Sequence, residues 1–284
     1  MSEIKGSQRG EQGGSGGTGE SPPLKSERGL TPRERDDRTG PLSSGALRAA
    51  ARTHRGTVRP ANEDAFLCRP DLGLFAVIDG MGGQQAGRHA AELAREALLE
   101  AGDPVRGLVV ASERIRAAAA ERADLAGMGC VASALRITGS KAVIAHVGDT
   151  RVYLAGSAGC EQLTRDHTVA ASEQERLGLS HRRASDLPGR NQVTRDLGGA
   201  HHGEDWIDRL EVLLEPGELL LLCSDGLPMA VGADELYERL RASRRAASPP
   251  EDLADELIMR ALERGARDNV TAVVVRQEGD AWGS

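Results

Sequence analysis

With 284 residues the chain can hold one large domain or two small ones, and its composition is that of a soluble globular protein with a polar appendage. A formal net charge of -7 and a pI of about 5.6 exclude a general nucleic-acid binder, whose footprint is basic. Four cysteines, Cys68, Cys130, Cys160 and Cys223, stand far apart with no CxxC pair, which favours reduced thiols in a cytoplasmic protein over zinc ligands or disulfides. The opening MSEIKGSQRG has no apolar stretch that would read as a secretory signal, and no run is long enough to span a membrane.

Residues 1–45 are rich in Gly, Ser, Pro and charge, with seven acidic and seven basic residues and hardly any large apolar side chain. Such a stretch cannot bury enough surface to offset its chain entropy. A disordered tail is therefore expected there, followed by a folded domain over 46–277 and a short C-terminal tail over 278–284. The segment ALRAAARTHRG leads through 57–64 into a strand at 65–68, and LFAVIDGMGG follows as a buried strand that ends at Asp79. Ala90, Leu93, Ala94, Ala97, Leu98 and Ala101 form the apolar face of a helix that Gly102 ends. Asp103 and Pro104 suit the N-cap and first turn of a second helix, running to about Ala126.

Strands over 130–137, 142–147 and 152–155, with short connections, predict an antiparallel meander. The polar stretch 164–203 carries one short helix over 168–177 and reads as a surface flap. Two strands, 206–214 and 218–224, are joined at Pro216-Gly217; two helices, one near 233–243 and one opened by Ser248-Pro249-Pro250, precede a last strand ending near Arg276. Runs of strands with paired helices between them predict two sheets packed together with helices outside, an α+β fold.

One pattern recurs. KAVIAHVGDT ends at Asp149, ELLLLCSDG ends at Asp225, and Asp268 and Asn269 precede the last strand, so four distant strands each carry an aspartate at one end. A single Asp-Gly pair is a common turn. Four converging carboxylates, by contrast, stay ionised together only with cations, and oxygen-only ligation selects magnesium or manganese over zinc. Two such cations would acidify a shared water for in-line attack on phosphorus. Arg59, four residues before Glu63, is a forked donor suited to gripping a phosphoryl group beside them.

VRPANED, DGMGG, HVGDTR, CSDGL and RDNVT, in this order, resemble the motifs of the metal-dependent protein serine/threonine phosphatases, the PPM or protein phosphatase 2C family, in their bacterial form. GRNQVTRDLGG is similar to the segment after that family's flap, and the match runs over about 53–275. The resemblance implies a four-layer α-β-β-α sandwich, two packed antiparallel sheets flanked by helix pairs. It implies that Asp79 bridges two metals, manganese or magnesium, with the Gly80 carbonyl on the first and Asp225 and Asp268 on the second. Glu63 would act through a water, Arg59 would hold the substrate phosphate, and Asp149 would serve a weak third metal. The implied partners are phosphorylated proteins, a serine/threonine kinase or its targets.

Two departures stand out. Met81 occupies the place where animal members carry a histidine that protonates the leaving group, with His54 and His146 as substitutes whose blander reading is structural. Met229 stands where many bacterial members have another aspartate, which weakens the third site. Trp206 and Tyr153 read as core or edge-strand residues, His201-His202 as an exposed loop pair, and Arg182, Arg183 and Arg190 as a solvated loop face. The alternatives are a partner-switching phosphatase with one dedicated substrate, and an inactive module that binds a kinase or phosphoprotein. The intact set Asp79, Asp225 and Asp268 argues against the second. A dinucleotide-binding reading of DGMGG fails, because the GxGxxG spacing is absent and the sheet reads as antiparallel.

Overall fold

The run Leu219–Cys223 is apolar at every position and buried at every position, because both of its faces are covered. Leu219, Leu221 and Cys223 enter one core while Leu220 and Leu222 enter another, as the two-residue period of a strand requires. The same double burial shapes the whole molecule. The computed structural model describes residues 42–44, 46–178, 187–189, 191–200 and 203–278 and holds two antiparallel sheets face to face with helices on both outer sides.

In chain order the strands are β1 (Leu42–Ser44), β2 (Leu47–His54), β3 (Ala65–Arg69), β4 (Leu74–Met81), β5 (Gly129–Thr138), β6 (Lys141–Val147), β7 (Arg151–Gly156), β8 (Gly159–Gln162), β9 (Asp208–Leu213), β10 (Leu219–Cys223) and β11 (Val270–Gln277). The helices are α1 (Gln84–Ala101), α2 (Pro104–Glu121), α3 (Val169–Leu177), α4 (Gly226–Val231), α5 (Ala233–Ala246) and α6 (Pro250–Glu263). One sheet has the order β1-β2-β11-β10-β7-β8 and the other β3-β4-β5-β6-β9. Phe75, Val77, Leu135 and Ile144 meet Leu220, Leu222, Val273 and Val275 between them. α1 and α2 close the outer face of the second sheet through Ala90, Ala94, Leu98, Leu108 and Ile115; α4, α5 and α6 close the outer face of the first. The expected α-β-β-α sandwich is the observed architecture.

Local chemistry sets the joints. Gly102 ends α1 with a left-handed φ of 62°, and Asp103 caps α2 by accepting a 2.9 Å bond from the Arg106 N–H. α2 stops at Glu121, short of the expected Ala126, and a 3₁₀ turn over Ala123–Leu125 follows.

The expected three-strand meander is corrected. β5 and β6 form a hairpin, but β7 leaves for the other sheet and pairs with β10 and β8. Gly148, at φ 101°, makes the crossing, where a Cβ would stand 2.1 Å from Val131 Cγ1. The strands flanking Pro216-Gly217 likewise part company, β9 joining β6 and β10 joining β7 and β11. β2, β8 and α4 are additions to the predicted elements; β2 pairs along its length with β11. Of the expected tail, 42–44 form β1 against β2, and the rest of 1–45 lies outside the described residues, as do Arg182, Arg183, Arg190, His201 and His202. None of the four cysteines forms a disulfide, and three of them are buried.

Candidate functional site

The crossings and sheet ends bring the aspartates together. Asp79 lies on β4 opposite Val131, Asp149 in the β6–β7 crossing, Asp225 at the start of α4 just beyond β10, and Asp268 just before β11. Asp64, which precedes β3, joins them as a fifth carboxylate. Burial first, and then the charges of Asp64, Asp225, Asp149 and Asp268, push the Asp79 carboxyl well above the usual carboxylate range. Burial likewise raises Asp225 to about 6 and Asp149 to about 7, with the neighbouring carboxylates adding to it.

Asp64 is held by a hydroxyl pair. Ser224 Oγ donates to its Oδ2 at 2.8 Å and Thr271 Oγ1 donates to the same oxygen at 2.5 Å, while Oδ1 is buried with no partner among the described residues. Asn269 ties the surrounding loops. Its Nδ2 donates to the carbonyls of Arg55 and Ala61 at 3.0 and 2.9 Å, and its Oδ1 accepts from the Glu63 N–H at 2.9 Å. The sequence signal for Asp64 was its place beside Glu63, in a motif where only Glu63 had been given a role. The hydroxyls that orient it come from β11 and from the residue just past β10, and could not be read locally.

Glu63 and Gly80 meet at the start of α1. A Cβ on Gly80 would stand 2.2 Å from the Gly87 carbonyl oxygen, and one on Gly87 would stand 2.5 Å from Glu63 Oε2. Both glycines are thus required by close approach, and the Glu63 carboxylate sits against the first turn of a helix, where the peptide dipoles favour negative charge. Arg59 is half-exposed and donates from Nη2 to Asp268 Oδ2 at 2.7 Å.

The histidines are elsewhere engaged. His146 is fully buried, joined to Ser133 Oγ at 2.9 Å and to the Arg165 carbonyl at 3.0 Å, and burial depresses its pKa to about 4, so it is neutral. His54 Nδ1 accepts from the Gly56 N–H at 3.0 Å. His167 Nδ1 accepts from the Gly148 N–H at 3.0 Å, supporting the crossing that presents Asp149. Met81 closes β4 opposite Gly129. Met229 is 61% exposed and shares with Asp149 and Asp225 a groove of about 950 Å³, walled on its far sides by Gln162, Gln174 and Tyr237. Tyr153 is a core residue edge-on to Tyr237, and Trp206 lies under the Arg195 guanidinium at 5.2 Å.

Whether these residues suit divalent cations is answered by their donors. Every side chain in the cluster offers oxygen, the buried Asp64 Oδ1 is unpartnered, and the carboxylates repel one another, all of which fits hard cations. Among the described residues no three acidic, histidine or cysteine side chains already close on one point, and Asp268 is turned to Arg59. The set is a cradle of carboxylates in which Asp268 is paired with Arg59.

Comparison with known proteins bears on the family and the fold. The family model described as protein phosphatase 2C matches residues 50–203, and that of stage II sporulation protein E matches residues 199–278. The chain is 32% identical to the serine/threonine phosphatase stp of Listeria monocytogenes over 249 residues, covering 82% of this chain and 96% of that protein. It resembles the crystal structure of the Mycobacterium tuberculosis serine/threonine phosphatase PstP/Ppp with a TM-score of 0.72 and 32% identity, covering 82% of this chain and 99% of that one. A structure of the PstP catalytic domain in complex with two manganese ions matches with a TM-score of 0.70 and 31% identity, covering 81% and 97% of the two chains.

Proposed function

The chain belongs to the protein phosphatase 2C family, and from that premise we propose that it hydrolyses phosphoserine and phosphothreonine in proteins with manganese or magnesium at the carboxylate cradle. The observation that carries this reading is the convergence of Asp79, Asp64, Asp149, Asp225 and Asp268 from separate strand ends beside Arg59. Asp79 would bridge two cations, with the Gly80 carbonyl on the first, Asp225 and Asp268 on the second, and Glu63 acting through a water. Asp149 would serve a weak third cation, because Met229 offers no hard donor to complete it.

When bound, the cations supply an acidified water as nucleophile and offset charge on the phosphoryl oxygens. Arg59 exchanges Asp268 for two phosphoryl oxygens, which its planar fork can grip at once. The substrate polypeptide lies along the groove that runs from Asp149 and Asp225 to α3 and α5. His146 is buried and neutral and His54 is bound to a turn, so neither donates to the leaving seryl oxygen, which takes its proton from water. The partners are phosphorylated proteins, a serine/threonine kinase or its targets among them. No described helix is long and apolar enough to cross a membrane.

Hydrolysis of p-nitrophenyl phosphate and of a phosphothreonine peptide, with manganese, with magnesium and with a chelator, tests the proposal. Metal-dependent turnover on both substrates is the expected result. Turnover that survives chelation overturns the mechanism, and none with either cation favours the binding alternative.

A further inference from the structure

Arg276 is 3% exposed on β11, and every hydrogen bond it makes among the described residues goes to a carbonyl: Ser248 at 2.8 Å, Ser243 at 3.2 Å and Gly217 at 3.5 Å. A buried guanidinium without a carboxylate is costly. Its Nε has no partner among the described residues, and Ser243 Oγ and Arg244 Nε on the same side are buried and unpartnered too. Arg48 faces Arg276 directly across the strand pair and is engaged with Glu251 at 3.5 Å. Beyond Arg276 the last turn of α5 carries Arg244 and Arg245, and Arg241 stands one turn earlier. None of Arg241, Arg244 and Arg245 makes an ion pair among the described residues. Together they line a cleft of about 280 Å³ against the turn Gly156-Ser157-Ala158-Gly159.

One acidic residue acts on Arg276 itself: Glu278, just past the strand end, favours its charged form, while Arg48 and Arg244 oppose it. Glu218 lies against Gly156 and accepts from the Glu215 N–H at 3.0 Å, but it precedes Leu219, the register partner of Arg276, so it belongs to the other face of the sheet. Glu215 accepts from Ser157 Oγ at 3.5 Å, and neither it nor Glu278 pairs with Arg241, Arg244 or Arg245 among the described residues. The result is a concentration of positive charge on a chain whose formal net charge is -7.

We propose that the cleft between the α5 C-terminal turn and the Gly156–Gly159 turn binds a phosphate group, free or carried on a protein, at a site separate from the carboxylate cradle. Three forked donors on one side and a turn of small residues on the other allow a tetrahedral oxyanion to approach closely. A bound anion supplies counter-charge to Arg241, Arg244 and Arg245, which line the cleft without an ion-pair partner among the described residues. β7 joins the two regions, from Arg151 at the cradle side to Gly156 at the cleft, a separation of roughly 17 Å at the strand's rise per residue. A phosphate in the cleft therefore cannot be the one undergoing hydrolysis.

Calorimetric titration of the full chain in magnesium tests this, first with inorganic phosphate and then with a peptide carrying a non-hydrolysable phosphonate in place of phosphoserine. The native protein should show a binding event that the Arg241→Ala/Arg245→Ala variant loses or weakens at least about ten-fold, while p-nitrophenyl phosphate hydrolysis and melting temperature are unchanged. Arg245→Glu alone, at an exposed position, should weaken the same event, and Arg241→Lys/Arg245→Lys should retain part of it. Tighter binding of the phosphonopeptide than of phosphate identifies a phosphoprotein as occupant, and equal binding identifies the free anion. Titrations that are the same in the native protein and in both charge-removing variants overturn the proposal, since all binding would then belong to the cradle.

Discussion

At Asp79 the folded chain places a carboxylate where burial and four like charges oppose its ionisation, so the residue costs stability unless a cation is present. Asp79→Asn keeps the shape and removes the charge. Two effects of opposite sign should follow: the metal-free variant melts higher than the metal-free native chain, and turnover falls by at least about a thousand-fold because both proposed cations lose a ligand. Melting curves in chelator and initial rates in manganese check both. Retention of near-native turnover would remove Asp79 from the site. His146 illustrates the opposite coupling. Its pKa is about 4 in the fold and about 6.5 in an unfolded chain, so the unfolded state takes up the proton first as pH falls. The stability of its buried neutral ring, fully present above about pH 6.5, is lost as pH drops toward about 4, up to roughly 3 kcal/mol. His146→Asn should therefore be less stable than the native protein at neutral pH, with the gap narrowing across that interval. Denaturant unfolding at a series of pH values measures it; a constant gap would mean that the ring does not titrate in this way.

The elements differ in how much of themselves they showed in sequence. β4, β6, β10 and β11 were legible because strands covered on both faces read as unbroken apolar runs, and the aspartate at each end marked the site. β2 was not, since its alanines favour a helix by propensity and become a strand only through eight register partners on β11. The crossing from β6 to β7 was misread as a hairpin because nothing local tells a turn within a sheet from a step between sheets. Gly148 makes that step, with its N–H held by His167 and its Cα facing Val131. Gly148→Ala should cost roughly 2–5 kcal/mol from the positive φ and the collision together, and should displace Asp149. Chemical denaturation is the measure, and a loss below about 1 kcal/mol would show that the crossing relaxes.

On the scale of the whole molecule, neither sheet contains the site. The cradle takes Asp79 from one sheet, Asp225 and Asp268 from the ends of the other, and Asp149 from the crossing between them, so cations there would bind across the sandwich. Metal binding and docking of the two sheets should be one thermodynamic event. The unfolded chain scatters these carboxylates and binds divalent ions weakly, so cations stabilise the folded state by mass action, about 2.7 kcal/mol at a hundred-fold excess over Kd for one site. For a domain of this size that corresponds to a rise in melting temperature of roughly 5–10 °C. Manganese titration followed by differential scanning calorimetry should show a single transition moving upward with concentration, reversed by chelator and abolished in Asp79→Asn. Arg59→Ala should keep the rise, because Asp268 is then released to the cation without competition, while its KM for phosphopeptide increases. A native transition that does not move with manganese would mean that the cradle holds no cation, and the proposed chemistry would fall with it.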